Sequence, residues 1–366
     1  MRFLRSWACL LLVLDLGCDN RALGTDSGAV DASAVLPDVR IPDIGPPREV
    51  RWEQLGAAGL KPPGRMNHVA VYDDQKDRLL VLGGFDPYLP EGGCCTSPYQ
   101  VHNDIWQLDL QTDTWTHVAD LSAPLMAFNP TEVGLDRVKN RLVLVGVTQS
   151  EHYGPAVSLS VDLTSWSVTT LPAPPTGGQW PLRVAFDAAG RRMVLHDGYS
   201  TAAVRGAWTF SLDSDTWTKL AVADGPALRY HAPLTGAAGR ALLFGGYDGD
   251  TVVADLWQLD LQGEKWTQLT LPAGLRGRWS HRAVFDVARD TLVVFGGSRH
   301  GSNEMLETML IHRDTLQIDE PTLSPSPVRR RDHTLVLDTR RRRALMYGGA
   351  FESDHVFDDV WALQLP

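Results

Sequence analysis

The chain has 366 residues, 43% hydrophobic and 21% charged, with 33 Gly and 23 Pro: enough apolar content for a packed core, and too much polar punctuation for a membrane bundle. Its 34 Lys and Arg against 44 Asp and Glu give a formal charge of −10, a field that repels phosphate backbones and excludes non-specific nucleic-acid binding.

Residues 1–18 read as a signal peptide. Arg2 and Arg5 form a short positive region, and an apolar run from Trp7 to Val13 ends near Gly17 and Cys18. That run is far shorter than the roughly 20 residues a transmembrane helix needs. The segment Leu14-Asp15-Leu16-Gly17-Cys18 resembles a bacterial lipoprotein signal, in which the Cys after a small residue receives lipid and becomes the mature N-terminus. The resemblance implies lipidation at Cys18, export, and anchoring in the bacterial envelope through the N-terminal lipid only. Plain secretion is the alternative, because Asp15 stands where that family has an apolar residue. Residues 19–48 turn to Asp, Ala, Gly, Ser and Pro, which cannot bury enough apolar area to offset the cost of ordering; a disordered tether is expected.

From residue 49 the chain repeats itself. Apolar runs ending in a glycine pair, or a close relative of one, recur at Leu79 to Gly84, Leu142 to Gly146, Met193 to Gly198, Leu242 to Gly246, Leu292 to Gly297 and Leu345 to Gly349. Their final glycines lie 62, 52, 48, 51 and 52 residues apart, the first interval being lengthened by an insertion from Pro87 to His102. Three copies carry two tryptophans nine residues apart (Trp106 and Trp115, Trp208 and Trp217, Trp257 and Trp266), separated by segments that alternate with period two. Four copies open on an Arg and a nearby His: Arg65 and His68, Arg229 and His231, Arg278 and His281, Arg330 and His333. Each unit is therefore expected to form four antiparallel strands that cannot bury both faces alone.

Over about Val50 to Pro366 this pattern resembles the kelch family. The resemblance implies an all-β, six-bladed kelch-type β-propeller, with blades about 57–119, 120–173, 174–223, 224–271, 272–323 and 324–366 plus 49–56. Copy two keeps only Trp166 of the tryptophan pair, and copy five has Met309 and Leu316 near the usual positions. Blade six has three strands of its own, and Arg51-Trp52-Glu53-Gln54-Leu55 matches the fourth strand of other copies; this N-terminal strand is expected to complete the last blade and close the ring.

Hairpin topology places the Arg/His signatures and the loops after the glycines on one face. Candidate binding residues there are Arg65, Arg229, Arg278 and Arg330 from the signatures, with Phe85, Asp86, Tyr199, Tyr247, Asp248, Arg299, His300, Phe351 and Glu352 from the loops. Recurrence is equally what a structural role in fixing turns and inter-blade hydrogen bonds predicts, so the non-repeating residues are the better candidates for specificity. Cys94 and Cys95, adjacent in the insertion, could pair as a vicinal disulfide in an exported protein. Arg340 to Arg343 reads as a solvated turn or a contact to anionic headgroups. No catalytic constellation, metal-ligand spacing or phosphate-cradling loop is legible, so no catalytic residue, metal or cofactor is assigned. The expected function is non-catalytic binding of a protein or carbohydrate ligand by a monomer on the cell envelope. The alternatives are a carbohydrate-active enzyme resembling the kelch-like sialic-acid epimerases and a structural envelope component.

Overall fold

The computed structural model describes residues 49–86, 100–121, 128–148, 155–176, 182–197, 206–227, 229–299, 305–352 and 355–366. The signal peptide with Cys18, the tether, Tyr199, the Cys94 and Cys95 pair and His300 lie outside the described residues.

Strand β1 (Arg51–Gln54) comes first, and the four-stranded sheets follow in chain order. Blade one comprises β2 (Val69–Asp73), β3 (Arg78–Leu82), β6 (Asp104–Asp109) and β7 (Thr114–Asp120), with a small hairpin of β4 (Phe85–Asp86) and β5 (Gln100–Val101). Blade two is β8 (Phe128–Asp136), β9 (Arg141–Thr148), β10 (Ala156–Asp162) and β11 (Val168–Leu171); blade three is β12 (Arg183–Asp187), β13 (Arg192–Asp197), β14 (Gly206–Ser211) and β15 (Thr216–Lys219). Blade four contains β16 (Leu234–Gly236), β17 (Arg240–Phe244), β18 (Leu256–Asp260) and β19 (Lys265–Leu269). Blade five contains β20 (Arg282–Asp286), β21 (Thr291–Phe295), β22 (Thr308–His312) and β23 (Ile318–Asp319). Blade six holds β24 (Thr334–Asp338), β25 (Arg343–Tyr347) and β28 (Val360–Gln364), beside a small hairpin of β26 (Ala350–Phe351) and β27 (His355–Val356).

The second strand of each blade is covered on both faces, which is why its sequence is a continuous apolar run; every residue of β3, β21 and β25 is buried. Outer strands have one covered face, and in β19 only Trp266 is buried. The core is shared between neighbours. Leu80 and Leu82 of blade one pack with Leu135 and Leu144 of blade two, whereas Tyr72 and Val81 pack with Leu345, Tyr347 and Ala362 of blade six.

The ring closes as expected. β1 pairs antiparallel with β28, Trp52 opposite Leu363 and Gln54 opposite Trp361. The Trp52 indole is 1% exposed, donates from Nε1 to Thr308 Oγ1 at 2.9 Å, and meets the Phe295 ring edge-on at 4.9 Å, so the first strand also cements blade six to blade five.

Two expectations need correction. Val168 and Ile318, opposite Val161 and Ile311, occupy the register of the second tryptophan; Trp166 and Leu316 lie two residues earlier, in turns with φ of 59° and 58°. The Arg340 to Arg343 turn is largely committed to ion pairs. Arg341 grips both carboxylate oxygens of Asp77 in blade one at 2.6 and 2.7 Å, and Arg343 is buried against Asp338 at 2.9 Å. Within the quartet Arg340 is the most exposed, its side chain 48% exposed and its Nη1 3.8 Å from the Asp77 carboxylate. The Arg341 hydrogen bond outweighs burial and lowers the Asp77 pKa to about 2.

Candidate functional site

The signatures and the residues after the glycines meet on one face. Backbone bridges join Met66 to Phe85, Tyr230 to Tyr247, Trp279 to Ser298 and Arg331 to Ala350. The glycine pair is the connector between blades: Gly246, Gly297 and Gly349 each donate N–H to the carbonyl of the next signature arginine, Arg278, Arg330 and Arg65, at 2.9 Å. Gly348 and Gly349 have φ of 66° and 96°, and a Cβ on them would lie 2.7 Å from the Arg65 carbonyl and from the His333 Cβ. Only glycine satisfies both the backbone conformation and the approach.

The recurring arginines point inward. Arg65, Arg278 and Arg330 are 0% exposed and Arg229 5%. Arg65 forks onto Asp104 at 2.6 and 3.0 Å and donates to the Gly83 carbonyl at 3.0 Å; Arg330 repeats this with Asp359 at 2.5 and 3.0 Å and the Gly348 carbonyl at 3.0 Å. Arg229 pairs with Asp255. The same aspartates accept the indole N–H of Trp106, Trp257 and Trp361 at 2.7 to 2.8 Å. An Arg–Asp–Trp relay thus ties the start of each of these blades to its third strand. Burial works against ionisation of Asp104 and Asp359, but the arginine bonds and charge outweigh it and hold both below the ordinary carboxylate pKa. As ligand-facing residues, Arg65, Arg229, Arg278 and Arg330 are therefore corrected: a guanidinium sealed under its own loop braces the loop.

Blade five breaks the relay. Glu307 and Met309 stand where blades one, four and six have Asp and Trp, and among the described residues Arg278 donates to the backbone carbonyls of Gly296 and Glu307, both at 3.1 Å. Its Nε and Nη2 have no hydrogen-bond partner among the described residues. Burial without a paired carboxylate pushes the Arg278 pKa down to about 10, against the weaker pull of Glu307 and Glu320. The Glu307 side chain instead lies 3.9 Å from Arg299, in a groove of about 690 Å³ between blades five and six. Arg276 and Arg329 also line the groove, and both are exposed. Its floor includes Met305, Leu306 and Val328, the last two 49% and 51% exposed.

A family model described as the Kelch motif matches residues 65–122, which span blade one. The fold is a six-bladed kelch-type β-propeller. A stretch of 66 residues, 18% of this chain, is 38% identical to dynein regulatory complex subunit 7 of Chlamydomonas reinhardtii and covers 5% of that protein's length.

Other candidates on this face of the kelch propeller divide by role. Tyr247 packs at a tilt against Tyr230, ring centroids 5.9 Å apart, and donates its hydroxyl to the Gly249 carbonyl at 2.5 Å, while Asp248 accepts the N–H groups of Asp250 and Thr251 at 2.9 and 2.7 Å. Both shape their own loop. Phe351 lies under the exposed Arg329 guanidinium at 5.2 Å, and Arg299 opens into the groove. Phe85 is 6% exposed and packs inside. Sequence reasoning found Arg299 but missed Arg276, Leu306, Glu307 and Val328. The available signal was Glu307, the acidic residue two places before Met309 where the other relays have Asp before Trp. Among the described residues no three His, Cys, Asp or Glu side chains converge on a metal position.

Proposed function

We propose that this kelch propeller is an exported protein-binding module, held to the bacterial envelope by lipid on Cys18, and that the groove between blades five and six receives an acidic, partly apolar segment of its partner. The broken relay of blade five carries this reading. Glu307 lies toward Arg299 rather than on Arg278, and the groove it shares bears three arginines, Arg276, Arg299 and Arg329, in a chain whose net charge is −10. A partner carboxylate answers these groove arginines, and Leu306 and Val328 offer the apolar contact that gives such a site affinity.

Fluorescence anisotropy with labelled peptides tests it. Peptides mixing Asp or Glu with Leu should bind better than their Lys counterparts, with affinity falling as salt rises. Arg299→Ala with Arg329→Ala should weaken binding by about tenfold or more. Equal binding of acidic and basic peptides, or no effect of the double substitution, refutes the groove assignment. Release of a Cys18→Ala variant from the membrane fraction tests the anchor separately.

A further inference from the structure

The inner strands of the six blades surround a channel that is bridged at the glycine face by backbone from blades one, six, five and four. There Asn67 N–H donates to the Asp332 carbonyl at 2.9 Å, Asp332 to Ser280 at 3.0 Å, and Ser280 to His231 at 2.8 Å, all four residues having φ between 49° and 56°. Beneath this cap a cavity of about 40 Å³ shares the walls Thr131, Leu182 and Arg282 with a chamber of about 80 Å³. The chamber continues past Glu132 and Ala283 into a vestibule of about 390 Å³ on the opposite, turn face. Apolar side chains such as Val71, Phe186, Val284 and Leu337 wall the vestibule, and the charges at its rim, Asp74 and Arg137, pair with each other.

The end of the channel at the glycine face is polar and positively biased. Arg282 donates Nε to the His333 carbonyl at 2.7 Å and forms no ion pair among the described residues. Thr131 Oγ1 is shielded from solvent without a hydrogen-bond partner there. His68 of blade one lines the chamber, and Arg183 of blade three, His231 of blade four, His281 of blade five and Asp332 of blade six line the cavity beside it. Burial foremost, and then nearby arginine charge that includes Arg282, lowers all three histidine pKa values, so they are neutral. Asp332 is held by Arg331 at 2.8 Å. Glu132, which accepts the Val133 N–H at 2.9 Å, is the remaining acid.

We propose that this channel binds a short-chain aliphatic monocarboxylate that enters from the turn face, sets its carboxylate on Arg282 and leaves its hydrocarbon in the vestibule. A carboxylate is small enough for the chamber, and it supplies the counter-charge that a partly buried guanidinium lacks. The apolar vestibule makes a hydrocarbon tail preferable to a second charge. Burial raises the Glu132 pKa to about 7, against the pull of Arg282. Protonated, Glu132 leaves Arg282 to the ligand; ionised, it competes, so affinity falls as pH rises through about 7.

Isothermal titration of the folded chain with acetate, butanoate and hexanoate, about one pH unit either side of the Glu132 value of about 7, tests this site independently of the groove. One saturable site per chain is expected, tightening roughly two- to fourfold per added methylene and weakening about tenfold from the acidic to the alkaline condition. Glu132→Gln should flatten the pH dependence and keep binding tight, and Arg282→Gln should abolish it. Ala283→Leu, which leaves every charge in place while narrowing the passage between chamber and vestibule, should weaken hexanoate and decides the matter if Arg282→Gln does not fold. No saturable binding below pH 7, no gain with chain length, or unchanged binding in Ala283→Leu overturns the proposal.

Discussion

Replacing Trp52 with Ala tests how the ring is held shut. The indole is 1% exposed and packs on Phe295, so its removal strips apolar area from the seam between blades six and five and leaves a cavity. Buried Trp→Ala changes cost about 3–5 kcal/mol. The Thr308 hydroxyl, on a residue 3% exposed, also loses the indole N–H bonded to it, which places the expected loss toward the upper end of that range. Because β1 is the outer strand of blade six, weakening it also frees the edge of β28 and should promote self-association. Arg51→Ala, at the exposed first position of β1, is the control and should shift stability by less than about 0.5 kcal/mol. Urea unfolding followed by tryptophan fluorescence, with light scattering at low denaturant, reads both effects. A Trp52→Ala midpoint equal to that of Arg51→Ala would mean that the first strand does not clasp the ring.

Three further outcomes are expected. Glu307→Asp shortens the blade-five acid to the residue used by Asp104 and Asp359; it should give Arg278 its carboxylate, raise stability by about 1–3 kcal/mol and, by freeing Arg299, strengthen acidic-peptide binding, and the idea fails if peptide affinity and urea midpoint both stay put. Gly349→Ala combines a φ of 96° with a Cβ 2.7 Å from that of His333 and should destabilise by roughly 2–4 kcal/mol, whereas Gly239→Ala, with φ of 82° and open space, should cost only about 1–2 kcal/mol; equal losses would remove the packing argument. His68, His196, His281 and His333 are buried and His231 is half-buried, all with pKa values below 6.5, His231 at about 4 and His196 at about 3. Their folded-state values are depressed, so the unfolded chain binds their protons first: the stability is intact above pH 6.5 and drains as pH falls below it, by up to about 1.4 kcal/mol per histidine per pH unit. Glu132 runs the other way, its folded-state pKa being raised, but it is one group against five. A urea midpoint that is flat from pH 6.5 to 4 would contradict the burial of these rings.

Local patterns were sufficient for everything that repeats. A run buried on both sides must be apolar throughout, an outer strand must alternate, and a backbone with positive φ pressed against its neighbour must be glycine; the six units, their strand order and the closing role of Trp52 followed from these requirements. Side-chain direction did not. Arg65, Arg229 and Arg330 could have faced a ligand or an aspartate two residues before a tryptophan, and nothing in their spacing tells a solvent-facing guanidinium from one folded under its own loop. The groove and the channel were illegible for a related reason. Arg299, Leu306 and Val328 come from different loops, and Glu132 and Arg282 from different blades, about 150 residues apart in the chain. Repetition along the chain determined how each blade is built. Which odd residues of separate blades face one another, and so which charges go unanswered, was decided only by bending those blades into a ring.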